Sequence, residues 1–312
     1  MPSHTLRTGR SGAVLLAVSL AAFATMLSSS CTTIADQTGD IPVQINFEAR
    51  VGDKIAKCGE TYAGVGSSKA AILLQDFRIY VSEAKLIARD GHEVPVTLTP
   101  DNQWQNDTVT LLDFENATGN CNGNAPMNMA IRGTAPAGDY AGISFEIGVP
   151  FAINHKDPTL AAAPMNYSGL TWPWRVGYKF TTIDLETESN AADAGATAPR
   201  MGGMMGMHAS GFSIHLGSTS CGPGSPTTPP TTPCDNPNRA TYRLASFNLS
   251  KQKVVLDLGA LLAKTDVTVN APGSASGCMS FVDDDDCIAI MDRFGLPFRG
   301  KASAGQMFVK AS

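Results

Sequence analysis

Ala70-Ala71-Ile72-Leu73-Leu74-Gln75-Asp76-Phe77-Arg78-Ile79-Tyr80-Val81-Ser82, followed by Ala84-Lys85-Leu86-Ile87-Ala88, Asp90-Gly91 and Val94-Pro95-Val96-Thr97-Leu98, is the stretch that decides the fold. Its first two runs are rich in β-branched and aromatic residues and read as strands. Asp90-Gly91 is a two-residue hairpin signal between Leu86-Ile87-Ala88 and Val94 to Leu98.

Working outward, Ile41-Pro42-Val43-Gln44-Ile45-Asn46-Phe47-Glu48-Ala49 alternates apolar and polar residues and is expected to be the first strand. Further strands are expected at Thr108–Phe114, Tyr140–Val149, Gly211–Leu216, Ala240–Leu244 and Lys253–Leu258, with short helical turns only at Leu258–Lys264 and Cys287–Phe294. Short strands separated by turns indicate an all-β, antiparallel sandwich or barrel-like single domain over residues 41–312. Two low-complexity stretches, 189–211 and 222–233, are expected to be loop insertions.

The first 30 residues carry Arg7 and Arg10, an apolar run from Ala13 to Leu27, and small residues before Cys31. This is the pattern of an export signal, with Cys31 as a candidate lipidation site and 31–40 as a flexible tether. The expected location is the periplasm or, as a lipoprotein, the outer membrane or cell surface. A net charge of −5 with no clustered lysine or arginine gives no basic face for nucleic acid.

Six cysteines remain after Cys31: Cys58, Cys121, Cys221, Cys234, Cys278 and Cys287. An even count in an exported chain implies disulfides. Cys221 with Cys234 and Cys278 with Cys287 would close short loops and leave Cys58 with Cys121, although spacing alone permits other pairings. GxSxG, HExxH, GxGxxG, Walker A and CxxC sequences are missing, which leaves the common hydrolase, nucleotide and thiol-redox chemistries without support. Asp283-Asp284-Asp285-Asp286 lacks the alternating ligands of a calcium loop and reads as a solvated acidic turn.

Imidazole and thioether are the donors left for a soft or borderline metal. His155 follows an apolar strand in a loop facing Thr171-Trp172-Pro173-Trp174-Arg175, His215 lies on a period-2 strand, and His92 sits in a hairpin turn. Met201-Gly202-Gly203-Met204-Met205-Gly206-Met207-His208 packs thioethers beside an imidazole, making Met204, Met207 and His208 additional metal candidates. The plain alternative reads the tryptophans and histidines as packing residues of a structural or adhesive β-sandwich.

Trp172-Pro173-Trp174, taken with Asn154-His155, Gly177-Tyr178-Lys179-Phe180, His215-Leu216-Gly217-Ser218-Thr219-Ser220-Cys221, Cys58-Gly59 with Tyr62, Asp76 to Val81 and Pro237-Asn238-Arg239, resembles the MbnP-like family of methanobactin-associated copper-binding proteins. That resemblance implies a non-enzymatic protein holding one Cu(I) and serving copper homeostasis. It also implies a dihaem partner of the cytochrome c peroxidase and MauG type, which oxidises the first tryptophan of the WxW motif to kynurenine. Trp172 matches that tryptophan, Trp174 would then be a relay or packing residue, since oxidising an indole from a separate haem protein needs close redox-active neighbours, and His155 and His215, at the recurring Asn-His and His-Leu-Gly positions, would be the imidazole ligands. Two departures stand out: Ser220 occupies a position where the family carries glycine, and the methionine-rich insert is long.

Overall fold

The structure, a computed structural model, describes residues 39–172, 177–187, 211–224 and 228–312. In chain order the strands are β1 (Asp40–Val51), β2 (Lys54–Ile55), β3 (Thr61–Val65), β4 (Ala70–Ala88), β5 (Glu93–Pro95), β6 (Thr97–Leu98), β7 (Val109–Asp113), β8 (Ala130–Pro136) and β9 (Tyr140–Ile147). They continue as β10 (Thr181–Thr187), β11 (Gly211–Leu216), β12 (Thr219–Cys221), β13 (Cys234–Asn236), β14 (Ala240–Leu244), β15 (Val254–Asp257), β16 (Gly277–Cys278) and β17 (Val309–Ala311).

One sheet has the order β17-β15-β1-β8-β6, and a larger one the order β14-β9-β4-β10-β11-β16, with β3, β5 and β7 also paired to β4. The protein is therefore a mostly antiparallel β-sandwich, with parallel pairings only of β1 with β15 and β11 with β16 among the described strands. Alternation in β1 buries Val43, Ile45, Phe47, Ala49 and Val51 in the core. The two sheets meet where Phe47 of β1 packs edge-on against Phe145 of β9, 5.3 Å between ring centroids.

β4 is the spine of the larger sheet, and here the structure corrects the sequence reading. The two expected strands are one, continued through Glu83, whose left-handed φ of 53° coincides with a register shift between Ser82 and Lys85. A bulge of this kind bends a strand without ending it. The Asp90-Gly91 hairpin forms as expected, with Leu86 opposite Val94, but β5 stops at Pro95 and β6 crosses to pair with β8 in the other sheet. β10 is a strand that the sequence reading does not single out.

One edge of β4 pairs first with β10, through Ile79, and then with β9, from Val81. At the handover both ends of the intervening chain attach to Tyr80. Gly148 N donates to Tyr80 O at 3.0 Å, and Tyr80 N donates to Phe180 O at 2.8 Å. The excursion between them folds onto the sheet's outer face, pinned where Tyr80 Oη donates to Pro164 O and Tyr178 Oη to Met165 O.

Three disulfides tie the loops: Cys58–Cys121, Cys221–Cys234 and Cys278–Cys287. Cys221 and Cys234 are cross-strand partners in the β12–β13 ribbon, so the 222–233 insertion is closed at its base.

Candidate metal centre

The excursion opens with a single helical turn, Phe151–Asn154, capped by Pro150, whose carbonyl accepts from Asn154 N at 2.9 Å. The turn buries Asn154 and His155, and the His155 ring packs edge-on against Phe151 at 5.2 Å. Asn154 ties the two ends of the excursion together. Its Oδ1 accepts from Tyr178 N at 2.9 Å, while its Nδ2 lies 3.2 Å from His155 Nε2. Gly177, at φ +122°, makes this approach possible, since a Cβ there would lie 3.0 Å from Asn154 Nδ2 and 3.2 Å from His155 Cε1.

Trp172 lies on the same excursion, and its N donates to Gly177 O at 3.2 Å. The half-buried indole lies 6.0 Å from the Phe281 ring and covers Gly217, where a Cβ would fall under 3.0 Å from two indole carbons. Gly217 follows His215 by two residues. Trp172 thus rests just beyond the strand that carries His215, while Gly177 lies against His155.

His215 sits on β11 with its side chain on the outer face, because the alternation sends Ile214 and Leu216 into the core. Its Nε2 meets Asp184 Oδ1 at 2.8 Å. Burial alone raises the Asp184 carboxyl, but the bond and charge of His215 more than reverse this and hold it at about 2. A carboxylate on one ring nitrogen fixes the orientation of the imidazole and leaves the other nitrogen for a metal. Backbone clamps complete the support. Ser280 Oγ donates to His215 O at 2.9 Å and accepts from Gly217 N at 3.1 Å, and Asn238 Nδ2 donates to Gly217 O at 2.8 Å. Ser280 is itself held by the third disulfide, with its N 3.2 Å from Cys287 Sγ.

Beneath the excursion the ladder registers place Asp113, Arg78, Thr182 and His215 in one transverse row across β7, β4, β10 and β11. Asp76 and Asp184 form the next row. Arg78 forms a two-pronged ion pair with Asp76, whose carboxyl burial still pushes up to about 6. Burial and the neighbouring Glu115 charge push Asp113 up to about 8. Asp113 Oδ2 and Thr182 Oγ1 have no hydrogen-bond partner among the described residues.

His155 Nε2 also approaches Cys234 Sγ at 3.6 Å, and the sulfurs of Cys221 and Cys234 are close to it. Both belong to a disulfide, so they offer no thiolate, and the same holds for the sulfurs near Glu115 and Asp284. Imidazole is therefore the strongest donor the described part of this region presents. Trp174, Met204, Met207, His208 and Cys31 lie outside the described residues.

Other expectations need adjustment. The acidic run is a solvated turn only in part: Asp283 and Asp285 are exposed, whereas Asp284 is 3 % exposed and accepts from Met279 N and Asp286 N, and Asp286 accepts from Ala271 N. Asp284 and Asp286 thus cap backbone amides. Ser220 has a left-handed φ of 54°, a conformation glycine adopts at no steric cost. Asp184, Ser280 and Asn238 are absent from the candidates above. Asp184 had a legible signal, the Thr182-Asp184-Glu186 alternation against Ile183 and Leu185; the other two act through tertiary contacts that no spacing encodes.

No curated protein matches the chain. Among solved structures it is similar to "MbnP from Methylosinus trichosporium", with a TM-score of 0.73 and 29 % identity over 88 % of this chain and 99 % of that one. Residues 40–280 match the MbnP family, and with that extent of sequence match and that structural likeness, the chain belongs to the MbnP family.

Proposed function

We propose that this is an extracytoplasmic Cu(I)-binding protein of copper homeostasis, whose site is His155, His215 and Trp172 after oxidation of Trp172 to kynurenine by a dihaem MauG-like partner. The observation that carries the reading is the seating of Trp172 on Gly217, two residues from a histidine already oriented by a carboxylate. An indole nitrogen is a poor ligand because its lone pair belongs to the ring. Opening the pyrrole ring frees an aniline nitrogen. The step takes oxygen from water, releases Cδ1 as formate, and passes electrons to the partner's haems and protons to solvent.

The donor set suits the metal. Two imidazoles and an aniline favour a soft or borderline ion, whereas calcium or magnesium would need free carboxylates. Asp184, the carboxylate beside His215, is already committed to the imidazole. On this reading the protein is the partner's substrate and has no turnover of its own. The methionine-rich insert would add thioethers for capture or delivery.

The test is co-expression with and without the dihaem partner, followed by peptide mass and copper content. Gain of one oxygen and loss of one carbon at Trp172, with copper held only after that change, is the expected result. An unmodified, copper-free protein beside an active partner would return the chain to a structural or adhesive sandwich.

A further inference from the structure

We infer that the exposed turn Phe281-Val282-Asp283, with Ile288 beside it, is the surface on which the protein that oxidises Trp172 docks, and that this partner carries basic side chains around its redox centre. The inference rests on the reading of Trp172 given above. Phe281, Val282 and Ile288 are 42 %, 45 % and 51 % exposed. Single exposed apolar residues are ordinary, but Phe281 and Val282 lie on the turn leading into the helix Cys287–Phe294 and Ile288 on the first turn of that helix, its N bonded back to Asp285 O, and a group of this kind marks a contact surface. Phe281 is also the residue whose ring meets the half-buried Trp172 indole. Electron transfer weakens steeply with distance, so a separate protein must approach Trp172 where it reaches the surface.

The turn is rigid. Asp284 N donates to Phe281 O, the Asp284 carboxylate takes Met279 N and Asp286 N, and Arg299 binds both Val282 O and Asp285. The Cys278–Cys287 disulfide brackets it. Apolar side chains held this way lose little further freedom on binding, which is how preorganised contacts gain affinity. The charge points to the occupant. Asp283 and Asp285 are both exposed, and Asp283 has no ion-pair partner among the described residues. Asp285 is paired with Arg299, so it is the unpaired Asp283 that leaves the turn net negative, which favours a basic partner over an acidic one.

The test uses the full chain and the dihaem partner at limiting concentration. The double variant Val282→Ser with Asp283→Lys alters only exposed side chains and should melt as wild type does. Its Trp172 should be converted at least about tenfold more slowly, a loss of roughly 1.4 kcal/mol in encounter or binding. Added salt should slow the wild type towards the variant. Met307→Ser, at another exposed apolar position, should convert at the wild-type rate. Conversion of the double variant at the wild-type rate, or equal slowing by Met307→Ser, would overturn the docking surface and leave the oxidation of Trp172 standing. A wild-type chain that an active partner does not convert at all would overturn both.

Discussion

Gly217→Ala places a methyl group where the Trp172 ring now lies. The added Cβ would fall under 3.0 Å from Cζ3 and Cη2 of that ring and 2.9 Å from Tyr178 O. Ordinary carbon contacts lie near 3.5–4.0 Å, so the indole must retreat by roughly 1 Å or more. Overpacking on this scale costs about 1–3 kcal/mol. For a domain of this size that is a fall in Tm of roughly 2–12 °C. The assay is calorimetry on a double-mutant cycle of Gly217→Ala with Trp172→Ala. Removing the indole vacates the space, so the alanine at 217 should cost much less in the Trp172→Ala background. A smaller residual penalty should survive, because the Tyr178 carbonyl is backbone and stays in place. Because the methyl group also pushes the indole off the His215 strand, Gly217→Ala should lower copper retention after Trp172 is oxidised. An equal cost of Gly217→Ala in both backgrounds would refute the seating of Trp172 on this glycine.

Three further outcomes follow from the polar support. Asp184→Asn keeps the shape of the acceptor for His215 but removes its charge. The wild-type carboxyl sits at about 2 against an ordinary 3.8, so its contribution is present above pH 4 and lost as the pH falls through about 2; urea titrations should show the variant about 2 kcal/mol weaker at pH 5 to 6, with a flatter acid limb. Asp113 runs the other way: a carboxyl raised from 3.8 to about 8 costs stability as the pH rises through that interval, so Asp113→Asn should gain on wild type between pH 5 and pH 8.5 in the same titration. Ser280→Ala strips the buried hydroxyl that bridges His215 O and Gly217 N and should cost about 1–3 kcal/mol in chemical denaturation, with weaker copper binding by the oxidised protein.

The parts of the fold that could be read from sequence are those whose causes are local. The alternation from Val43 to Val51 makes β1 because one face meets the core, and Asp90-Gly91 makes a hairpin because two residues suffice to turn it. Glu83 misled because a charged residue in an apolar run looks like a break, whereas a bulge lets it point outward while β4 continues. β10 escaped notice because only Ile183 and Leu185 carry the apolar half of its alternation, a run too short to stand out although Thr182, Asp184 and Glu186 alternate with them. Of the candidate site, His155, Trp172 and His215 were nameable from motifs. What holds each in place was not: Asn154 bridging to Tyr178, Asp184 on His215, and Ser280 on the His215 backbone are contacts between residues from 24 to 65 positions apart in the chain.

Tyr80 gives its own amide to one end of the excursion and its carbonyl to the other. With both ends fixed on one residue of the central strand, the excursion is an insert plugged into a single socket. The entropy of closing such a loop grows only slowly with its length, so the excursion can change in length without moving the sandwich. Substitutions around Trp172 are thereby uncoupled from the register of β4, β9 and β10. The same frame can then carry excursions of different side-chain chemistry while the sheets keep their register.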